Sequence, residues 1–458
     1  MKISPQIKPA DLKRKIERLW EVSAGKILSI ERDEVPGAAT PVYTVGGKYT
    51  ARGWTEWTQG VVYGSAILQF DALWDSQFLR LGRDRTVGRM AHHVTHMGVH
   101  DHGFNNVSTY GNLWRLMGEG RIPEVKPERD FYELALKCSG AVQAARWTNT
   151  ANGEGFIHSF NGPHSLFADT IRSLRSLALS HQLGHVLMGE RDEKISLLRR
   201  LVEHARTTAQ WAVFHGDARD ANDVRGRVAH ESIFNVNDGS YRCPNSQQGW
   251  SPFTTWTRGL AWIMCGYAEQ LEWVATRRDQ ELEKIGGREA IETMMLRAAR
   301  AACDFYIENT PADGVPYWDT GAPGLAQLGD FLDRPADPFN DHEPVDSSAG
   351  IIAAQGLLRL GAYLKARGET DAGRHYLAAG LTVLDTLFDE PNLSTAAAHQ
   401  GLILHSVYHR PNGWDYIPPD RKIPCGESSM WGDYHAREVA LYVQRIYEEK
   451  PYLAFFGK

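Results

Sequence analysis

Two aspartates, Asp101 and Asp169, are candidates for the acid and the base of a catalytic site. Asp101 lies in the stretch His-Asp-His-Gly-Phe at 100–104, directly before a predicted helix. Asp169 lies early in a predicted helix whose other side chains are mostly apolar. An apolar surface desolvates an ionised carboxylate, which raises its pKa and suits it to general acid catalysis. These residues therefore indicate a site for acid–base chemistry.

Each aspartate also has a purely structural interpretation. Asp is among the best N-cap residues, so Asp101 could simply cap the helix that follows it. Asp169 could pair with Arg172 or Arg175, which follow it at helical spacing. The residues by themselves leave both alternatives open.

The segment from Gln247 to Trp262 is rich in side chains that could hold a ring-shaped polar ligand. It contains three tryptophans, one arginine and two glycines where a loop leads into a long apolar helix. Aromatic faces cover the CH face of a sugar, and arginine offers rigid donors to a carboxylate. Packing in the core is the alternative. Together with two carboxylates, however, aromatic platforms and an arginine are the usual equipment of a glycan-cleaving site.

Other polar and aromatic segments also precede predicted helices, so all of them could line one face of the molecule. They are Asp238 to Arg242, Gly314 to Asp319, Val345 to Gly350, and Cys425 to Tyr434. Five histidines cluster before the first aspartate's helix: His92, His93, His96, His100 and His102. No carboxylate or cysteine pattern completes a recognisable ligand set with them, so we expect no metal site.

Composition excludes several classes of protein. The net charge of −6 over 458 residues argues against nucleic acid or an anionic membrane as the main partner. Five cysteines without CxxC spacing are typical of reduced thiols, which predicts a cytoplasmic protein. No run reaches the apolar length of a membrane span, and the first residues form an amphipathic helix rather than a signal peptide.

Helical periodicity recurs along the whole chain and predicts about twelve helices. We place them near 10–23, 58–81, 84–98, 104–118, 129–147, 166–189, 193–213, 255–276, 287–309, 345–367, 371–389 and 429–448, with a small hairpin at 42–49. An open helical solenoid should show a fixed repeat, and none is found. The candidate site residues lie in the loops between helices, which favours a closed toroid of helical hairpins with its site at one end. No low-complexity linker interrupts residues 1–458, so one domain is expected.

Taken together, these segments resemble the unsaturated glucuronyl hydrolases of glycoside hydrolase family 88 and, more distantly, family 105. Each motif is weak, but seven occur in the family's order. They are Trp54 to Gly60, His100 to Phe104, the Asp169 helix, Asp238 to Trp262, Pro316 to Asp319, Asp346 to Ala349, and Trp431 to Tyr434.

The resemblance implies an all-α (α/α)6 barrel that acts on the 4,5-unsaturated uronic acid at the non-reducing end of lyase-generated oligosaccharides. It implies hydration of the vinyl ether without any cofactor: an acid protonates C4, water adds at C5, and the hemiketal collapses. Asp169 matches the general acid/base and Asp101 the partner carboxylate. The substrate-binding residues expected on this basis are His100, Arg242, Gln247, Arg258 and four tryptophans: Trp57, Trp250, Trp262 and Trp431.

The chain departs from the family pattern near these residues. Gln247 and Arg242 stand where the family commonly has histidines, and Pro252-Phe253 replaces an acidic pair. The segment Thr170 to Ser173 replaces apolar residues and an Asn. The sugar's identity is therefore open, although an extra arginine would suit an anionic aglycone.

Two other functions remain as alternatives. The same barrel could act on a saturated sugar as a glycosidase, lyase or epimerase, which the missing histidines motivate. A non-enzymatic binding scaffold is the third hypothesis, and it predicts that Asp101 and Asp169 lie far apart.

Overall fold

The computed structural model describes residues 1–35, 37–53, 56–451 and 454–456. Trp54 and Thr55, with which the first family-like segment begins, lie outside the described residues. Helices make up most of the described chain, and short strands occupy some of the connections between them. The buried apolar core is continuous from Leu12 to Phe455.

The α-helices follow one another along the chain and are numbered in that order. They are α1 (Lys13–Asp33), α2 (Gln59–Leu73), α3 (Ser76–Arg89), α4 (Ala91–Val94), α5 (His102–Asn105), α6 (Asn112–Gly118), α7 (Lys126–Ala145), α8 (Thr170–Ser173), α9 (Arg175–Gln182), α10 (Leu197–Trp211), α11 (Thr257–Ala275), α12 (Asp279–Glu283), α13 (Arg288–Glu308), α14 (Ser347–Ala366), α15 (Thr370–Leu387) and α16 (Met430–Tyr447). A π-helical turn, Val107–Gly111, joins α5 to α6. Short 3-10 helices lie at Pro9–Leu12, Glu56–Thr58, Glu190–Asp192, Pro323–Leu328, Phe331–Asp333 and Arg410–Asn412.

Six helices form an inner ring within the described part of the chain. Helix α2 packs on α16, α16 on α14, α14 on α11, α11 on α8, α8 on α5, and α5 on α2, so the ring closes. The outer helices α1, α3, α7, α10, α13 and α15 alternate with the inner ones along the chain. Inner helices are covered on all sides, and every residue of α14 from Ser347 to Gly361 is buried. The predicted (α/α)6 barrel is confirmed.

Several helix boundaries differ from the predictions. The helix expected at 58–81 is interrupted at Trp74, whose φ of 62° is left-handed. The side chain of Asp75 then caps α3 by accepting a hydrogen bond from the Gln77 amide. The helix expected from 166 begins only at Thr170, because Ser165–Phe167 is a strand. A three-residue strand is too short for the alternation of side chains to reveal it.

The strands form small antiparallel sheets between the helices. The hairpin expected at 42–49 is present as β1 (Tyr43–Val45) and β2 (Lys48–Thr50). The other strands are β3 (Trp147–Asn149), β4 (Gly155–Ile157), β5 (Ser165–Phe167), β6 (Leu187–Met188), β7 (Lys194–Ile195), β8 (Glu231–Phe234) and β9 (Tyr241–Asn245). Strands β3 and β4 pair, as do β6 and β7, and β8 lies between β5 and β9.

Within the residues that the structure describes, no helix has the combination of length and apolarity needed to cross a bilayer. All five cysteines are free thiols. The cytoplasmic location stays a prediction.

Gly103 in α5 fixes the distance between the two segments that carry the aspartates. A Cβ atom at this position would overlap the backbone of Ser173 in α8. The Gly103 amide donates a hydrogen bond to the Ser173 hydroxyl at 2.9 Å. Any side chain at residue 103 would therefore push α5 away from α8.

Gly103→Ala should accordingly lower the free energy of unfolding by about 1–3 kcal/mol, because the added methyl overpacks a backbone contact. Gly25→Ala is the matched control, since Gly25 lies within α1 and a Cβ there meets nothing within 4 Å. That change should raise the free energy of unfolding by roughly 0.5–1 kcal/mol. Denaturant unfolding of both variants checks this. Equal effects of the two substitutions would contradict the close α5–α8 contact.

Candidate active site

The first turns of several inner helices surround one cavity of about 390 Å³. It is lined by Glu56, Trp57, His96, Val99, His100, Asp101, Phe104, Phe160, Asp169, Gln247, Gln248, Trp256, Arg258, Trp262, Tyr408, His409, Asn412 and Trp414. Helices α2, α5, α8 and α11 all begin at this end of the barrel. Helix N-termini carry partial positive charge, so this end favours a negatively charged ligand.

The two predicted catalytic aspartates meet in this cavity with a histidine between them. His100 Nε2 lies 3.1 Å from Asp169 Oδ1 and 3.8 Å from Asp101 Oδ1. Asp101 is 8 % exposed, Asp169 9 % and His100 1 %. The binding-scaffold hypothesis required the aspartates to lie far apart, and the structure contradicts that requirement.

Neither structural interpretation of the aspartates holds. Asp101 is the N-cap residue of α5, yet its side chain makes no capping hydrogen bond among the described residues. Arg172 and Arg175 point into the barrel, where both lie against Glu269 and Glu438. The alternative pairing of Asp169 with Arg172 or Arg175 is thus replaced by its hydrogen bond with His100.

The three groups set one another's protonation. Burial raises the pKa of Asp101, and the neighbouring Asp169 adds to the rise. Burial also acts to raise the pKa of Asp169, but the charge and hydrogen bond of His100 outweigh it and lower that pKa. Burial acts against a charged His100, yet the two carboxylates prevail and raise the imidazole's pKa. His100 and Asp101 are therefore the proton carriers, and Asp169 is the ionised member.

The backbone around His100 is held by helices behind it. The His100 carbonyl accepts hydrogen bonds from Gln143 Nε2 at 2.8 Å and from the Ser173 hydroxyl at 2.6 Å. On the other side, β5 leads directly to Asp169, and the Ala168 amide donates to the carbonyl of His230 at 2.8 Å. Ser173 of α8, the helix that Asp169 precedes, thus links the histidine to the aspartate's own segment.

Arg258 lies in the cavity wall, but protein acceptors already occupy its terminal nitrogens. Nη1 donates to Asp346 Oδ2 at 2.7 Å and to the carbonyl of Val407, while Nη2 donates to the carbonyl of Tyr408 and to Gln248 Oε1. Its guanidinium also lies 4.5 Å from the centre of the Trp256 ring. The two terminal nitrogens of Arg258 could donate to a ligand carboxylate only by giving up one of these acceptors. The structure therefore gives Arg258 a positioning role that the sequence did not predict.

Seven aromatic side chains belong to the cavity wall. Phe104 packs edge-on against Trp262 at 5.0 Å between ring centroids and against Trp57 at 6.3 Å. The ring centroids of Tyr408 and Trp414, which belong to the same wall, are 5.2 Å apart. Such rings offer apolar faces for a sugar, and the polar residues of the wall can orient it.

Seven of the ten predicted site residues line the cavity: Trp57, His100, Asp101, Asp169, Gln247, Arg258 and Trp262. The other three do not. Trp431 is completely buried behind the wall, stacked 5.2 Å from Trp57, with its indole N–H donated to Ser348 Oγ. Arg242 is exposed on β9, an edge strand of its sheet. Trp250 is 53 % exposed outside the cavity.

His230 is a site residue that sequence reasoning missed. Its Nδ1 accepts hydrogen bonds from the backbone amides of Gln247 and Gln248, both at 3.2 Å. Its ring lies 4.5 Å from both Phe167 and Trp256. Burial lowers the pKa of His230 to about 3, so it is neutral and can accept these bonds. His230 thereby sets the position of the two glutamines in the wall.

The segment from Tyr408 to Trp414 was also missed, although it supplies four lining residues. The buried carboxylate of Asp415 holds it by accepting hydrogen bonds from the amides of Tyr408 and His409. The run Tyr-His-Arg-Pro-Asn-Gly-Trp resembles the other polar-aromatic loops, and that composition was the available signal.

The histidines before and at the start of α5 are mostly held by protein groups. His93 contacts Gln59 Oε1 and Asn105 Nδ2, while His102 contacts the Ser139 hydroxyl and the carbonyl of His96. Burial lowers the pKa of His93 to about 3 and that of His102 to about 4. Among the described residues, no three His, Cys, Asp or Glu side chains are grouped so that they could hold a metal ion.

A larger groove of about 1460 Å³ lies on the outside of the barrel between α10 and α13. Several of its arginines are paired with acids, including Arg206 with Glu154 and Arg297 with Asp217. Neither catalytic candidate lines it. The smaller cavity is therefore the candidate active site.

Comparison with known proteins agrees with this fold. No family model matches the chain. The chain is 25 % identical over 431 residues to the unsaturated glucuronyl hydrolase of Bacillus sp. (strain GL1), covering 93 % of this chain and 97 % of the relative. It is 24 % identical over 395 residues to that of Formosa agariphila, covering 85 % and 80 %.

The crystal structure of the unsaturated glucuronyl hydrolase from Bacillus sp. GL1 has the same fold. It superposes with a TM-score of 0.68 at 22 % sequence identity, covering 93 % of this chain and 97 % of that one. The chain is therefore similar in sequence to unsaturated glucuronyl hydrolases and shares their fold.

Proposed function

We propose that the protein removes a 4,5-unsaturated uronic acid from the non-reducing end of oligosaccharides made by polysaccharide lyases. The observation that carries the proposal is the buried cluster of Asp101, His100 and Asp169 in an aromatic-walled cavity. The names of its relatives, which are unsaturated glucuronyl hydrolases, support this substrate class.

The reaction needs a proton donor above C4 of the unsaturated ring and a water molecule near C5. Asp169 gives a proton to C4, which leaves positive charge at C5 and on the ring oxygen. Its carboxylate, now negative again, stabilises that charge and accepts a proton from the water that attacks C5. The hemiketal then collapses and releases the remaining sugar chain.

Asp169 must hold a proton when the substrate is bound, although His100 favours its ionised form. A bound sugar would exclude water from the cavity and so destabilise the charged pair of His100 and Asp169 relative to the neutral pair. The proton would then move across the 3.1 Å hydrogen bond from Nε2 to the carboxylate. Asp101, with its raised pKa, keeps a second negative charge away from this step.

The cavity has suitable groups for the sugar itself. The indoles of Trp57 and Trp262 offer faces for the ring. Gln247 Oε1 is buried and has no hydrogen-bond partner among the described residues, so it is available to accept a sugar hydroxyl. The N-termini of α2 and α11 supply positive potential for the uronic carboxylate.

Asp169→Asn and Asp101→Asn should each lower kcat/KM by about 10²–10⁴-fold, because the first removes the group that protonates C4 and the second removes the carboxyl of raised pKa beside it. Loss of ultraviolet absorbance on unsaturated disaccharides measures the rate, and product mass shows whether one water is added. Asp238→Asn is the control, since that aspartate is exposed in the β8–β9 turn. Its activity should stay near that of the wild type.

Full activity of Asp169→Asn would show that Asp169 is not the catalytic acid. Products without added water would instead favour a lyase or an epimerase.

The pH dependence of kcat/KM should show an alkaline limb that belongs to the cluster as a whole. Because the folded pKa of His100 is raised above 6.5, its proton is present at lower pH and is lost as the pH rises through that raised value. Activity should therefore fall on the alkaline side, with an apparent pKa above 6.5. In His100→Gln the limb should move to lower pH, since the aspartates alone must keep the proton. Identical alkaline limbs in both proteins would contradict this role.

A further inference from the structure

Two large aromatic side chains are exposed beside the cavity. Trp250 is 53 % exposed and Phe253 is 56 % exposed. Both belong to the loop between Gln248 and Trp256, and each of these flanking residues lines the cavity. The loop is therefore part of the cavity rim, and Trp250 and Phe253 are exposed there without lining the cavity itself.

The backbone of this rim loop is fixed although its aromatic side chains are exposed. The Trp250 amide donates to Asp319 Oδ2 at 2.8 Å, and Asp319 is itself fully buried. The Ser251 amide donates to the Thr254 hydroxyl at 3.2 Å, and Arg227 Nη1 donates to the Pro252 carbonyl at 3.2 Å.

A loop held in this way presents its aromatic rings at little further entropic cost. Ordering of a mobile loop is one of the costs of binding, and this loop is already ordered. Exposed aromatic surface on a rigid loop gains free energy when a ligand covers it.

The cavity volume limits how much of an oligosaccharide can be enclosed. At about 390 Å³ it lies near the small end of ligand pockets, which span roughly 300–1,000 Å³. An oligosaccharide whose terminal ring lies against Asp169 must therefore leave the cavity and cross its rim. Neutral aromatic faces on the rim suit the CH faces of further sugar rings better than a charged group.

We propose that Trp250 and Phe253 form a second sugar-binding site, outside the cavity, for rings beyond those enclosed with the aspartates. The inference rests on the proposed function, because it assumes that an oligosaccharide enters this cavity. With this second site, the enzyme prefers longer unsaturated oligosaccharides to disaccharides as substrates. Pro252-Phe253, where the chain departs from the family pattern, is then a determinant of substrate length.

The test compares two substrates, an unsaturated disaccharide and an unsaturated hexasaccharide from the same lyase digest. The double variant Trp250→Ala/Phe253→Ala should lower the ratio of kcat/KM for the hexasaccharide to that for the disaccharide by about tenfold, the effect expected from losing two aromatic contacts. Trp74→Ala is the matched control. Trp74 is 56 % exposed at the far end of α2, about 22 Å along a 15-residue helix from the cavity. It should leave the ratio unchanged.

A ratio unaffected by the double variant would overturn the proposal. Binding of the hexasaccharide to Asp169→Asn, measured by calorimetry with and without the two rim substitutions, gives an independent readout. Its Kd should rise about tenfold when the aromatic residues are removed, and an unchanged Kd would again overturn the rim site. If the wild type turned over neither substrate, the proposed function would fail, while the calorimetry would still decide whether the rim binds sugar.

Discussion

The imidazole of His100 lies between two buried carboxylates, with Nε2 3.1 Å from Asp169 and 3.8 Å from Asp101. Two aspartates this deeply buried cannot both be ionised without a nearby positive charge. The histidine supplies it and makes the two carboxylates unequal, since it lowers the pKa of Asp169 while that of Asp101 is raised. A donor and an acceptor of protons therefore coexist in one cavity near neutral pH.

The barrel keeps this cluster in place by close packing rather than by hydrogen bonds to the carboxylates alone. Gly103 lets α5 touch the backbone of Ser173, and the Ser173 hydroxyl bonds to the carbonyl of His100. Arg258 ties the start of α11 to Asp346 and to the loop at Tyr408. The guanidinium thus stabilises the cavity wall, and the rings of Trp256 and Trp431 pack against it.

Much of the fold follows from periodicity, because long inner helices such as α14 are apolar on all sides and their outer partners are not. The strand that delivers Asp169 is only three residues long, and so has no detectable pattern. Residue type also predicts a tryptophan's burial poorly: Trp431 lies inside the barrel and Trp250 outside it. Likewise, only the three-dimensional structure shows that the terminal N–H groups of Arg258 already donate to protein acceptors.

The most direct test of this mechanism is a crystal structure of Asp169→Asn bound to an unsaturated disaccharide. We predict that the unsaturated ring lies in the aromatic-walled cavity, with C4 within hydrogen-bonding distance of residue 169 and C5 open to a water molecule. A complex in which the anomeric carbon faces residue 169, or in which the ring lies away from His100 and both aspartates, would contradict the mechanism.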